Sequence, residues 1–369
     1  MWFYLFSYLW GSMKKLLLLA SLFATLFTAC STDIAINAEW KDTTLVLGLL
    51  NTDHKTHYIR IHKAFLDEKR GAFEVAQIQD SLYYQTLVVK VERIVSDAVI
   101  ETYNCVKIDT AILQPGIFAS PDLILYRFST DTFLDVNSTY RLVIETPFNN
   151  VVTSQLKPIG FPRNLPNGIP PNTPPPPNYA GINWSSQVPQ VFLAQPTNAR
   201  RFDMTVRIYY DEWNRFTVTP SDTPGLQRKF LDWRVEVNQQ FAVINSSNVT
   251  QLRVPGRNMF SFMNSSIPKN ENLNRRLRGT LFLFDFADDD FNTFLQINNP
   301  SSSLVDVRPT FTNINNGIGI FAARRSVPDL KLIENTPNFP FSSPFYREAL
   351  GGVGTDSLRA RYPDLNFVP

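Results

Sequence analysis

In the stretch "HYIRIHKAFL", Tyr58, Arg60 and His62 alternate with Ile59, Ile61 and Lys63. A period of two belongs to a strand whose two faces meet different surroundings, and a helix does not produce it. The same alternation, or short β-branched and aromatic runs between turn residues, recurs in "DTTLVLGLLN", "QTLVVKVERI", "AVIETYNCVKI" and "STYRLVIETP". Five or more short strands within about 125 residues predict an all-β fold, an immunoglobulin- or fibronectin-like sandwich. "DEKRGAFEVAQIQDSLYY" breaks the pattern and reads as a short helix or an elaborated loop.

The next constraint is "KPIGFPRNLPNGIPPNTPPPPNYAG", in which prolines 174–177 are consecutive. Proline fixes its backbone and donates no hydrogen bond, so the stretch favours an extended segment outside helix and central strand. It reads as an interdomain spacer or a long surface loop. Downstream, "ARRFDMTVRIYYDEW", "RGTLFLFDFADDD" and "TFTNINNGIGIFAARRS" again alternate or run apolar, while "KFLDWRVEVNQQFAVI" fits a strand or a covering helix. The expected organisation is a leader at 1–29, a β-sandwich domain at 30–156 and the proline-rich linker or loop at 157–183. A second β-rich domain follows at 184–328, then an irregular tail at 329–369. No repeat of 20–50 residues appears, which removes solenoids and propellers.

The first 30 residues address location. Lys14 and Lys15 precede a twelve-residue apolar run, Leu16 to Phe27, and small residues Thr28 and Ala29 precede Cys30. That is signal-peptide architecture, too short to span a bilayer comfortably. It resembles a bacterial lipoprotein signal, in which the cysteine after the cut receives lipid; Phe27 stands where that pattern prefers Leu. The aromatic stretch before Met13 suggests that Met13 is the true start. Ordinary secretion, or one longer anchor broken by the costly Lys14 and Lys15, is the rival. Removing residues 1–29 leaves 33 basic and 33 acidic residues. A chain so balanced carries no overall basic field for nucleic acid. With Cys30 lipidated, Cys105 has no internal disulfide partner and reads as a small buried hydrophobe.

Candidate chemistry is sparse. His54, His57 and His62 lack the spacing of a zinc-protease helix, and the strand pattern sets His57 opposite His62. Asp288 to Asp290 offer oxygens to calcium, but a calcium loop's glycine and distal glutamate are missing, and an acidic turn explains them. Asp211 and Glu212 in "YYDEW" would be half of a glycosidase pair, needing a second carboxylate across a cleft. "GGVG" at 351–354 lacks the lysine and helix of a phosphate loop, and no nucleophile elbow occurs. No catalytic, metal or cofactor residue is assigned. Tyr209, Tyr210, Trp213 and Trp233 are candidates for a platform that stacks a ligand, unless they fill the core.

In "FTNINNGIGIFAARRS", Asn315-Asn316-Gly317 suits a turn with positive φ, and Gly319 lets a neighbouring backbone approach. This stretch and "LVLGLLNTDHKTHYIRIHKAFL" together resemble a family of Bacteroidota outer-membrane lipoproteins that share a domain of unknown function. Asn313, Ile314, Asn316, Gly317, Gly319 and Phe321 match the family's carboxyl-terminal sequence. The resemblance covers most of the mature chain and implies a lipidated cysteine ahead of a strand-rich domain. Genes of such lipoproteins often lie beside those for TonB-dependent transporters, which implies an accessory role beside an outer-membrane β-barrel. The surface-export signal of these bacteria is a short acidic run, and "CSTDIA" supplies Asp33 alone, so the periplasmic and cell-surface faces both stay open. "DSL" at Asp80 and "DTA" at Asp109 fit their extracytoplasmic glycosylation triplet.

The sequence therefore predicts a lipid-anchored, non-catalytic accessory or scaffold of an outer-membrane transport or surface complex. A glycan- or peptide-binding module is the alternative, with a hydrolase behind it. The two leading readings differ in one observable. A row of exposed rings favours a ligand, and a broad apolar patch with a polar rim favours a protein partner.

Overall fold

The structure is a computed structural model that describes residues 43–64, 72–75, 78–110, 123–162, 191–216, 225–235, 249–252, 254–298, 310–327, 346–348 and 353–368. Its first half consists of β1 (Thr44–Asn51), β2 (Thr56–Lys63), the single turns α1 (Ala72–Val75) and α2 (Gln79–Leu82), β3 (Val88–Val95), β4 (Ala98–Asn104), β5 (Val106–Thr110), β6 (Leu123–Ser129), β7 (Thr139–Glu145) and β8 (Val151–Leu156). Alternation in sequence becomes alternation in burial. In β1 Thr44, Val46, Gly48 and Leu50 point inward, while Leu45 and Leu47 stay exposed.

One sheet contains the order β1-β2-β6-β5 and the other the order β4-β3-β7-β8. This is the two-sheet Greek-key order of immunoglobulin-like sandwiches, so the expected all-β sandwich is what forms. A second mark of that class sits at the start of β7. There the Tyr140 hydroxyl accepts a hydrogen bond from the Asp135 backbone N–H at 3.1 Å, in the manner of a tyrosine corner. Asp135 also pairs with Arg93 at 2.8 Å, tying the corner to β3.

The second half adds β9 (Val191–Ala194), β10 (Arg201–Asn214), β11 (Gln227–Val235), β12 (Val249–Leu252), α3 (Gly256–Ser266), β13 (Leu273–Ala287), α4 (Asp289–Asn298), β14 (Gly317–Val327), β15 (Tyr346–Glu348), α5 (Val353–Arg361) and a 3-10 turn at Pro363–Leu365. Its main strands do not build a sheet of their own. β14 pairs with β1 in parallel from Thr44↔Gly317 to Asn51↔Arg324, giving the order β11-β10-β13-β14-β1-β2-β6-β5, with β15 beside β13. The sheet thus crosses the boundary drawn at the proline-rich segment, and all described residues fall in one compact unit. The physical reason is the edge. β1 terminates the β1-β2-β6-β5 sheet, and its outer row of backbone groups is satisfied by β14.

The "NxNNGxGxF" stretch makes that junction. Gly319 has φ +121°, and a Cβ there would lie 1.9 Å from the Val46 carbonyl oxygen, so only glycine fits. The Asn313 amide imitates a strand: its Oδ1 accepts from the Phe321 N–H at 2.9 Å, and its Nδ2 donates to the Phe321 carbonyl at 2.8 Å. Asn315 exchanges two backbone bonds with Thr153 of β8, and Ser154 donates to the Asn313 carbonyl. One short segment therefore fastens the second sheet to the first.

"KFLDWRV" takes the strand alternative, within β11. One helix, α4, falls where an acidic turn was expected, and α3 lies in a stretch that carried no expectation. α3 packs against β11, and α4 begins at the acidic run and packs against β14. The expected irregular tail is partly regular. After α5, Phe367 is buried and pairs as a parallel bridge with Arg275 of β13.

Candidate interaction surface

The outward side of the large sheet has two chemical halves. Over β10, β11 and β13 it is laced with ion pairs: Asp203 with Arg234, Arg207 with Asp232, and Asp211 with Arg228. Over β14, β1, β2, β6 and β5 the chemistry changes. Register places Leu45 beside Ile318 on one side and His62 on the other, and Leu47 beside Arg60. Arg127 lies between Tyr58 and Val106, and Leu125 faces Ile108.

Leu45, Leu47, Tyr58, Val106 and Ile318 form an exposed, largely apolar surface on this side, while Ile320 and Ala322 of β14, which the register sets on the same side, are buried. Exposure runs from 37% at Leu45 through 47% at Leu47 and Ile318 to 57% at Val106. The outward positions of these strands also carry Arg60, Arg127 and Arg324, all exposed, and no aspartate or glutamate. Among the described residues none of the three pairs with a carboxylate, whereas Arg93, Arg141, Arg207, Arg234, Arg275 and Arg325 each do. Arg60 instead donates to His62 Nε2 at 2.6 Å. Burial, and then the Arg60 charge, lowers the His62 pKa to about 4, so its ring stays neutral and able to accept that bond. At its other side the ring meets Tyr83 edge-on at 4.7 Å.

A signal for this face was present in the sequence. "LVLGLL" is apolar at both parities, which a strand covered on one face does not need.

The expected stacking platform does not form. Tyr209, Tyr210 and Trp213 are 5%, 4% and 5% exposed, and half-buried Trp233 stacks on Phe262 of α3 at 6.2 Å. Adjacent residues of one strand point to opposite faces, so Tyr209 and Tyr210 report that both faces of β10 are covered there. Tyr210 meets Phe367 of the docked terminus, and Tyr209 tilts against Phe230.

The other candidates are accounted for by structure. Glu212 accepts from Arg275 Nε at 2.8 Å and from Lys229. Burial alone would raise its pKa, but these two cations outweigh it and hold the carboxylate below its usual range. Asp211 lies between Arg228 and Arg278. Held ionised in this way, Glu212 makes a poor general acid. Asp288 caps α4, accepting the Phe291 N–H at 2.8 Å, and receives the Ala323 N–H at 2.6 Å. Burial pushes its carboxyl up to about 7. Asp290 accepts from Asn313, and Asp289 faces Arg200 at 3.6 Å. The three carboxylates diverge instead of converging on an ion. Among the described residues no three His, Cys, Asp or Glu side chains gather as a metal site.

His57 and His62 point to opposite faces, as the alternation predicts. His57 stacks on Phe128 at 4.8 Å. Burial pushes the Cys105 thiol up to about 12, so it is an unreactive, half-buried hydrophobe. Cys30 lies outside the described residues. No family model matches the chain, and no curated protein matches it.

Proposed function

We propose that this protein is a lipid-anchored envelope protein, held in the outer membrane through Cys30. It acts as a non-catalytic accessory or scaffold of an outer-membrane transport or surface complex, docking through the outward face of β14-β1-β2-β6-β5. The observation that supports this reading is the exposed apolar face set among cations on an otherwise ion-paired sheet. Isolated exposed leucines are ordinary, whereas here Leu45, Leu47 and Ile318 lie side by side among exposed arginines, an arrangement suited to a small contact site. The glycan-binding alternative needed open rings at Tyr209, Tyr210, Trp213 and Trp233, and the first three are core. A rigid pleated face on a two-sheet sandwich also suits a scaffold, because its contact side chains are held by strands.

The test is a mild-detergent pull-down from the native outer membrane, read by mass spectrometry. Cys30→Ala removes the anchor and Leu47→Asp places a charge at the centre of the face. Stoichiometric recovery of a β-barrel transporter, lost in both variants, supports the proposal. Clean lipidation with no co-purifying protein overturns it.

A further inference from the structure

We infer that the partner surface received by the β14-β1-β2-β6-β5 face is an acidic protein segment, with Asp or Glu side chains surrounding a small apolar centre. The inference rests on the docking role proposed above and gives that partner its chemistry. Three observations carry it.

The first is charge. Arg60, Arg127 and Arg324 project from three different strands on one side of the sheet, and among the described residues none has a carboxylate partner. On the adjoining half of the same side, Arg207 and Arg234 have found Asp232 and Asp203. The chain places carboxylates opposite arginines on one half of this side, where Arg207 and Asp211 are themselves buried, and leaves them out on the other, where the arginines are exposed. A complementary partner supplies the missing anions, and charges so arranged speed encounter and reject like-charged surfaces.

The second is size. Five strands at the usual spacing of about 4.8 Å give a width of about 19 Å. The outward positions from Leu45 to Leu49 add about 13 Å along the strand. That is a few hundred Å², well under the roughly 800 Å² per partner of a stable protein pair. It fits one segment or loop of a partner in a readily reversible contact.

The third removes the other occupants. A second copy meeting this face by two-fold symmetry would set arginines against arginines with no carboxylate between them. An anionic bilayer would neutralise the arginines. Yet surface-bound elements bury their apolar side chains about 5–10 Å into the headgroup boundary, and a pleated face with half-exposed leucines has no such projection.

The experiment places a photo-crosslinking amino acid at Leu47, and separately at Val106, in the full-length lipidated chain in its native membrane. The attached peptide is then sequenced by mass spectrometry. The expected adduct is one peptide of an outer-membrane protein with acidic residues flanking apolar ones. In parallel, the triple variant Arg60→Glu, Arg127→Glu, Arg324→Glu is expected to lower adduct yield at least tenfold. The matching triple lysine variant keeps most of the yield, and the wild-type yield falls as salt rises. Circular dichroism melting of both variants separates misfolding from lost recognition. A neutral or basic peptide, a lipid adduct, or a peptide of this chain overturns the inference while leaving the envelope role standing. So does a yield indifferent to charge reversal. No adduct together with no co-purified protein overturns both.

Discussion

Gly319 lies so close to Val46 that a Cβ added to it would fall 1.9 Å from the Val46 carbonyl oxygen, with φ at +121°. The two residues face each other in the parallel pair that joins the halves of the chain. Because the obstacle is backbone, no rotamer relieves it. Gly319→Ala is expected to cost about 2–4 kcal/mol, from a backbone conformation that L-residues disfavour and a displaced strand. At Gly48 the close atom is the Phe321 ring at 2.8 Å, which is itself buried but is not backbone. Gly48→Ala is therefore expected to cost less. Urea midpoints of the two variants decide it, and equal midpoints would refute the argument.

Asn313 tests the junction from the other side. Its amide makes two bonds with the backbone of Phe321 and a third to Asp290, all between 2.7 and 2.9 Å. Asn313→Ala leaves the Phe321 N–H and carbonyl short of partners in a buried strand, at a cost of about 2–3 kcal/mol. Asn313→Asp keeps the acceptor, loses both donated bonds and sets a charge beside Asp290, so it should be no better. Amide hydrogen exchange at Phe321 is the direct readout. Protection there should fall by more than tenfold, while protection at Leu142 in β7 changes little.

What the sequence disclosed follows from how strongly each residue's surroundings are encoded locally. The strands of the sandwich were legible because one face of each is core and the other is not. "AVIETYNCVKI" was less so, since its alternation continues while the chain leaves one sheet for the other at Cys105, between β4 and β5. β10 and β13 are covered on both sides over much of their length, so local pattern could not tell whether Tyr209 and Trp213 were open or buried. The α4 start was written as an N-cap, Asp288, with acids in the first turn, yet the same letters suit an acidic turn after a strand. The parallel meeting of β1 with β14, some 270 residues away, has no local signature beyond the glycines. The exposed apolar surface depends on that meeting, because Ile318 comes beside Leu45 only through it.

Arg275 is 1% exposed, and its guanidinium reaches Glu212 Oε2 at 2.8 Å and the carbonyls of Leu365 and Pro268 at 2.9 Å each. One cation thus holds the carboxyl-terminal turn against β13. Arg275→Met leaves buried Glu212 with Lys229 alone and takes the donor from the Leu365 and Pro268 carbonyls, so it is expected to cost about 2–4 kcal/mol. The double variant Arg275→Met, Glu212→Leu should recover part of that loss, since neither charge then remains buried without its partner. A double-mutant cycle from denaturant titrations measures the coupling. Additive effects would show that the pair does not act as a unit.

His57 sets an acid limit on the fold. Its ring is 2% exposed and stacked on Phe128, and its Nε2 has no hydrogen-bond partner among the described residues. Burial first, then the neighbouring His54, lowers its pKa from 6.5 to about 4. Between those values the unfolded chain binds a proton that the folded chain does not, so stability rises with pH there. The contribution is fully present above pH 6.5 and is lost as pH falls to about 4. At about 1.4 kcal/mol per unit, it reaches roughly 3 kcal/mol at the acid end. His57→Phe keeps an aromatic ring against Phe128 and removes the titration. Denaturant midpoints measured between pH 7 and 4 should fall more steeply for wild type than for this variant. In the variant, His62 with its pKa near 4 and Asp288 with its carboxyl pushed up to about 7 act in opposite directions over this range, so the difference between the two curves, and not the slope of either, reports His57. Parallel curves would mean that His57 keeps an ordinary pKa in the folded chain, and with it a contact to water that its packing against Phe128 denies.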